Sequence, residues 1–287
     1  RAHGYSHHEE GEFAMKRFSL FPYVIWMTLF IVVPMFLVLY YAFTIPTETG
    51  ATWSLENFGR FFEPIYLRVL GRSLRLAVIS TVICLILGYP AAMVMAGNAF
   101  TRKNVILLLF VVPMWMNFLL RTYAWLTILE RNGVINVLLA NLSLPRLNIL
   151  YTEAAVVLGM VYNFLPFMVL PIYSVLSKID KGVVEAAGDL GANAFRVFTK
   201  VVFPLSLPGV VSGVTMVFMP ALTTFVISRL LGGGQFTLIG NLIEQQFLVV
   251  GDWGFGSAIS VVMIVFILLS MAIMSFFEGE EKDVALW

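Results

Sequence analysis

The sequence predicts an all-α membrane protein with six transmembrane helices. Three observations carry that expectation. Of 287 residues, 60% are hydrophobic and 12% charged, against about 25% charged in an average soluble domain. Six long runs are free of charge, one of them interrupted only by Arg121. Each can supply the roughly 20 apolar residues that a helix needs to cross a bilayer. The runs are continuous rather than alternating, which argues against a β-barrel. Backbone groups in lipid must be satisfied within the segment, so the runs are helices.

Residues 1–14, RAHGYSHHEEGEFA, are polar and read as a disordered tag or upstream extension ahead of Met15-Lys16-Arg17. Such a composition cannot bury a core, so His7-His8-Glu9-Glu10 reads as tail rather than metal site. One membrane domain, 15–277, and a short tail, 278–287, follow. The first run lies between Arg17 and Glu48. It is too long for a signal-peptide core of about 7–15 residues. The second lies between Arg75 and Arg102. The third spans Asn104 to Leu129 and contains Arg121. The fourth lies between Glu153 and Lys178, the fifth between Lys200 and Arg229, the sixth between Asp252 and Glu278. Pro34, Pro90, Pro113, Pro166, Pro171 and Pro220 fall inside these runs and predict kinks, not breaks, because neighbours can satisfy the freed carbonyls.

Three outer loops are long. Thr44 to Arg72 contains Trp53, Phe61 and Phe62; Glu130 to Tyr151 holds an apolar patch, Val134 to Leu142, that predicts a short interfacial helix. Arg229 to Gly251 carries Gly232-Gly233-Gly234. No Gly-Lys-Ser/Thr follows the triplet, so it is a flexible turn and not a nucleotide loop.

Orientation follows the lysines and arginines. With the amino terminus inside, the cytoplasmic face holds Lys16, Arg17, Arg102, Lys103, Lys178, Lys181, Arg196, Lys200 and Lys282. The outer face holds Arg60, Arg68, Arg72, Arg75, Arg131, Arg146 and Arg229. Every lysine is inside, and the outer arginines are offset by nearby carboxylates. Both termini are therefore expected in the cytoplasm. A net charge of +1 gives no footprint for nucleic acid. The single cysteine, Cys84, allows no intrachain disulfide, and a thiol in apolar surroundings is inert. No cysteine–histidine pattern predicts a metal.

The most informative stretch is Glu185 to Gly209, EAAGDLGANAFRVFTKVVFPLSLPG. It is of mixed polarity between apolar runs. It predicts two short helices broken at Gly191, with Glu185 near the start of the first, then a proline-marked return to the membrane at Pro204 and Pro208. Glu185-Ala186-Ala187, Gly191 and Pro204 resemble the EAA motif of ABC importer permeases. The resemblance extends from Phe18 to about Phe277, through Leu87-Gly88-Tyr89-Pro90, Val112-Pro113, Gly159-Met160-Val161-Tyr162-Asn163, Leu165-Pro166-Phe167, Leu238-Ile239-Gly240-Asn241 and Asp252-Trp253-Gly254-Phe255-Gly256. These motifs are similar to those of the spermidine/putrescine branch of the family. The resemblance implies the type I importer permease fold in a bacterial inner membrane. It also implies a second permease subunit, an ATPase dimer carrying ATP and Mg, and an extracytoplasmic substrate-binding protein. The chain itself would bind no cofactor and hold no catalytic residue. The implied coupling residues are Glu185, Ala186, Ala187, Gly191, Ala192, Phe195 and Pro204. Arg229 departs from the pattern of an acidic residue; it either faces away from the path or pairs with Glu244, Asp252 or the binding protein.

Polar groups within spans usually face the bundle interior. Asn117, Arg121 and Trp125 recur every four residues and share a helical face. Arg121 either gates or supports the path there, or reaches the outer interface as an anchor. No Asp or Glu lies within a span. Aromatic rings can also hold an ammonium, at about 0.5–2 kcal/mol each. Candidate path residues are Trp115, Asn117, Tyr123, Tyr162, Asn163, Thr223 and Thr224; for the rings the alternative is packing or an interfacial belt. Iron or phosphonate import is the alternative within the class. A secondary transporter usually places carboxylates in its spans for ion coupling, and none is present.

Overall fold

The computed structural model describes residues 21–47, 50–97 and 103–284. The 1–14 extension, Lys16, Arg17, Glu48 and Arg102 lie outside the described residues. In chain order the helices are α1 (Phe21–Ala42), α2 (Glu56–Phe61), α3 (Pro64–Ala96), α4 (Lys103–Trp115), α5 (Phe118–Leu129) and α6 (Val134–Asn141). They continue with α7 (Glu153–Leu176), α8 (Lys181–Asp189), α9 (Ala194–Thr223), α10 (Val226–Leu231), α11 (Ile239–Gln245) and α12 (Trp253–Val284). Five of them, α1, α3, α7, α9 and α12, are long and apolar enough to cross a bilayer. They answer to five of the six runs.

The third run is two shorter helices, α4 and α5, rather than one. Near the end of α4, Pro113 accepts from the Met116 N–H at 3.2 Å, an i to i−3 bond that tightens the turn. Asn117 then leaves helical angles (φ −55°, ψ 128°) and caps α5, its side chain accepting from Leu119 N at 2.8 Å and Leu120 N at 3.4 Å. A side-chain acceptor for orphan amides is what an N-cap supplies. Asn117 is therefore a break and not the first member of a face with Arg121 and Trp125.

Pro34, Pro90, Pro166, Pro171 and Pro220 lie within helices, as expected of kinks. Pro34 and Pro204 follow widened turns. Phe203 N–H bonds Phe198 O, and Val33 N–H bonds Thr28 O, each an i to i−5 bond one residue before Pro204 or Pro34. Proline has no N–H to continue the ladder, and a single π turn absorbs the change of register.

The chain forms two compact units. The first comprises residues 1–63 and 246–264. Here α1 exposes apolar side chains along its length, with only Ala42 buried. A hairpin follows, Thr44–Thr47 against Gly50–Trp53, antiparallel with Thr44 opposite Trp53. Asn57 on α2 donates to the carbonyls of Ala42 and Thr44, at 3.4 and 3.2 Å, tying α2 to the end of α1. Phe255, Ala258 and Ile259 at the start of α12 are buried.

The second unit comprises residues 64–245 and 265–287. Its centre is α3, α7 and α9. Leu76, Cys84 and Met95 of α3, Met160, Met168 and Ile172 of α7, and Val217 and Leu222 of α9 are buried. Helix α3 has 33 residues, about 50 Å at 1.5 Å per residue, against a hydrocarbon core of about 30 Å. Its first turns therefore carry Arg68 and Arg72, which the sequence had placed in a loop, and Arg75 at the edge of the second run. Arg72 and Arg75 share the carboxylate of Glu153. The apolar patch at 134–142 is helical, as expected. Gly233 and Gly234 take positive φ, 59° and 71°, in the turn after α10.

Candidate functional site

Helix α8 begins at Lys181, capped by the Asp180 carboxylate, which accepts from Gly182 N at 2.9 Å. Glu185 is thus in the second turn and not at the helix start; Asp180 holds that place. The helix ends as a glycine-closed turn. Leu190 is the C-cap, Gly191 takes φ +84°, Gly191 N donates to Gly188 O at 2.9 Å, and Ala192 N donates to Ala187 O at 3.1 Å. That pair of bonds is the Schellman arrangement, whose left-handed position favours glycine. Asn193 then caps the next helix by accepting from Arg196 N at 2.9 Å.

The second short helix does not stand alone. Residues Ala194–Val197 pass through the π turn Phe198–Val202 into Phe203–Thr223, so that α9 is one rod from the loop into the membrane. Pro204 starts the α-helical part instead of a new element. The rod is fastened to α3 at its π turn and just beyond. The Tyr89 hydroxyl lies 2.7 Å from Ser206 Oγ, and the Tyr89 ring meets those of Phe198 and Phe203 at 5.8 Å each.

No residue of α8 is buried. Leu190 is 88% exposed and Phe195 73%, with Val183 also exposed. These apolar side chains stand exposed on an otherwise polar projection. Beside it, Glu185, Lys181, Val184 and Val202 line a groove of about 320 Å³ that reaches Met93 and Leu176.

The candidate path residues do not form one cluster. Trp115 (81% exposed) and Tyr123 make no ring contact among the described residues. Tyr162 meets Trp125 edge-on at 5.2 Å. Asn163 is 1% exposed; its Nδ2 donates to Gly159 O at 2.9 Å, and its Oδ1 is buried without a partner. Thr223 Oγ1 donates to Met219 O, and Thr224 lies past the helix end with ψ 138°. Arg121 is 8% exposed, with Nε and Nη1 unbonded and its guanidinium 6.0 Å from the Phe118 ring. It is turned into the protein. A buried cation with open donors is costly unless an acceptor meets it. Arg229 pairs with Glu244 at 2.6 Å, one of the partners considered for it. Among the described residues no three His, Cys, Asp or Glu side chains gather to hold a metal.

Residues 87–280 match the family described as binding-protein-dependent transport system inner membrane component. The chain belongs to that family. As a member it is a transport component and a multi-pass membrane protein with the ABC importer permease fold. It is 40% identical over 252 residues to the spermidine/putrescine transport system permease protein PotB of Haemophilus influenzae, covering 85% of this chain and 87% of that one. It is 38% identical over 243 residues to PotB of Escherichia coli K12, covering 83% and 88%. Among solved structures, a bacterial ABC transporter that imports the acidic polysaccharide alginate superposes with a TM-score of 0.76 at 17% identity, over 93% of this chain and 97% of that one. That likeness concerns the fold.

The family match begins at Leu87 and so takes in Tyr89, the contact of α3 with the rod, together with the whole of α8 and α9. What sequence reasoning missed is Ser206 and Asp180. Ser206 sits two residues past Pro204 with nothing in its neighbourhood to advertise a partner 117 positions away. Asp180 was legible, since an aspartate immediately before a helix start is a common cap.

Proposed function

We propose that the chain is the permease subunit of a polyamine importer, for spermidine and putrescine. The observation that carries the reading is the exposed α8–α9 projection, closed by Gly191 and continuous with a membrane rod, in a chain whose PotB relatives match over most of both lengths. In this reading a second permease of like fold completes the path. An ATPase dimer docks on Val183, Leu190 and Phe195, and Glu185 offers it a carboxylate. ATP and Mg belong to that ATPase, and hydrolysis with them. An extracytoplasmic binding protein delivers the solute; a solved alginate transporter carries such a periplasmic protein. Closure of the ATPase dimer pushes the projection, α9 moves as a rod, and Tyr89 passes the motion to α3. Glu185, Ala186, Ala187, Gly191, Ala192, Phe195 and Pro204 are the coupling set. Trp115, Asn117, Tyr123, Tyr162, Asn163, Thr223 and Thr224 remain the proposed path set, with Tyr162 beside Trp125 its firmest part and Asn117 acting through the cap it forms. Arg121 supports the path without touching the cation.

The test is uptake of labelled spermidine by the complex reconstituted from this chain and its partners. Wild type should accumulate spermidine with ATP. Tyr162→Leu should slow uptake about 2- to 30-fold, the range that one ring–ammonium contact of about 0.5–2 kcal/mol gives. Trp115→Leu and Tyr123→Leu should do so less. No polyamine uptake by wild type would remove the cargo from the reading; unchanged rates in all three variants would make the rings packing.

The proposed topology places both termini and the 178–200 segment in the cytoplasm, with Trp53 and Trp253 outside. Single cysteines introduced into a Cys84→Ser background and treated with an impermeant thiol reagent in intact cells check it. Trp53→Cys should label and Asn193→Cys should not. The reverse pattern would invert the topology.

A further inference from the structure

One cavity in the first compact unit is lined by none of the candidate path residues. It measures about 870 Å³ and lies at the carboxyl end of α1, against α2 and the start of α12. That volume is within the roughly 300–1,000 Å³ of small-ligand sites. Its wall holds three aromatic rings in sequence: Tyr40 to Tyr41 at 5.7 Å between centroids, and Tyr41 to Trp253 at 6.1 Å. Its charged residues are Glu56, Arg60 and Asp252. Arg60 is committed: it bonds Asp252 at 2.8 Å and lies 4.3 Å from the centre of the Phe255 ring. The Glu56 carboxylate makes no ion pair or hydrogen bond among the described residues. The lining therefore carries two carboxylates against one cation, beside three aromatic rings. Carboxylates and aromatic faces together are what recognise an alkylammonium, and an anion would find only an arginine already paired.

We propose that this cavity is a binding site for a linear alkyl polyammonium ion, with Glu56 and Asp252 as the anionic contacts and Tyr40, Tyr41 and Trp253 as the ring wall. The proposal rests on the polyamine reading above and adds a site to it. Glu56 takes one ammonium directly. The Arg60–Asp252 pair is part-exposed, at 38% and 28%, and exposed pairs of this kind hold weakly. A second ammonium can displace Arg60, whose ring contact with Phe255 keeps it in place when released. Weak, exchangeable contacts suit a site that must pass its cargo on. The aliphatic segments of the ion lie along the rings.

The test uses the assembled transporter in nanodiscs of zwitterionic lipid, without binding protein, and tritium-labelled spermidine as probe. Wild type should bind spermidine saturably, and 1,8-octanediol, of similar length and no charge, should not compete. Glu56→Gln should weaken binding about tenfold and Glu56→Asp should restore most of it. Asp252→Asn, which keeps an acceptor for Phe255 N, should also weaken it several-fold. Spermidine should change tryptophan emission in wild type, and Trp253→Phe should lose that change. Docking of loaded binding protein, measured by co-sedimentation with the nanodiscs, should be unaltered by Glu56→Gln. Equal spermidine binding in wild type and Glu56→Gln overturns the site. So does loss of binding-protein docking in Glu56→Gln with spermidine binding intact, which would make the cavity a protein contact. Failure of the wild-type complex to take up any polyamine would instead overturn the cargo reading itself. Polyamine uptake by wild type with no saturable binding in nanodiscs sinks the site alone.

Discussion

Gly191→Val should abolish transport while leaving the membrane domain folded and paired. The argument is local. Gly191 holds φ +84°, and a Cβ built there meets nothing within 4 Å. The substitution therefore clashes with no neighbour; its whole cost is backbone strain. A β-branched residue in the left-handed region costs about 1–3 kcal/mol. Relief requires turning Gly191 back, which breaks the two bonds from residues 191 and 192 that close α8. The exposed side chains of Leu190 and Phe195, on either side of the glycine, would then point in new directions. Gly191→Asn is the control, since asparagine visits the left-handed region more readily than valine. In the reconstituted complex, Gly191→Val should lose more than nine-tenths of binding-protein-stimulated ATP hydrolysis and uptake, and Gly191→Asn should retain a large part of both. Glu185→Lys should weaken ATPase docking to a smaller extent, because Glu185 is exposed and its gain is that of a surface pair. Full coupled hydrolysis in Gly191→Val would reduce the α8–α9 projection to a connecting loop.

The left-handed glycine was legible because the demand is local: one residue type, one backbone region, a polar stretch between apolar runs. The spans were legible for a similar reason, since lipid solvent forces long uncharged runs into helices whatever they pack against. What stayed hidden depends on geometry that no window of sequence contains. Asn117 reads as a face residue by its spacing to Arg121, yet its side chain goes to its own backbone two and three residues on. Periodicity cannot tell a facing residue from a cap when both fall on the same spacing. The continuity of α9 was hidden by Pro204, which reads as a break unless a π turn is supposed before it. The cavity beside Glu56 was hidden because it joins residues near 40, 56 and 252, whose meeting is a matter of fold alone. Arg229 could be given three partners from the sequence, and its pairing with Glu244 was among them.

Gly209→Leu should destabilise the membrane domain more than any other single glycine substitution on α9. Gly209 and Gly213 are four apart, so they lie one above the other on the face that meets α7. A Cβ at residue 209 would come 2.9 Å from the carbonyl oxygen of Pro171 and 3.1 Å from Ile172 Cα. At 213 it would come 2.9 Å from Met168 Sδ and 3.1 Å from the Met168 carbonyl oxygen. Helices in lipid gain from close backbone approach through small residues, because lipid tails compete for larger ones. At 209 the obstacles are backbone atoms, which cannot rotate away; at 213 the nearest atom is the flexible end of a methionine. Overpacking of this kind costs about 1–3 kcal/mol and at times more. The order of damage should be Gly209→Leu, then Gly213→Leu, then Gly209→Ala. Gly188→Ala is the opposite case: no atom lies within 4 Å, the position is helical, and alanine is favoured there by about 0.5–1 kcal/mol. Fluorescence-detected size-exclusion after heating would read the order as loss of the intact peak. Gly209→Leu should shift the midpoint down by several degrees, and Gly188→Ala should not lower it. If Gly209→Leu matches wild type, α9 does not ride on α7 at this crossing. A push on the projection would then move α9 alone, and motion shared between the rod and α7 would have no structural basis.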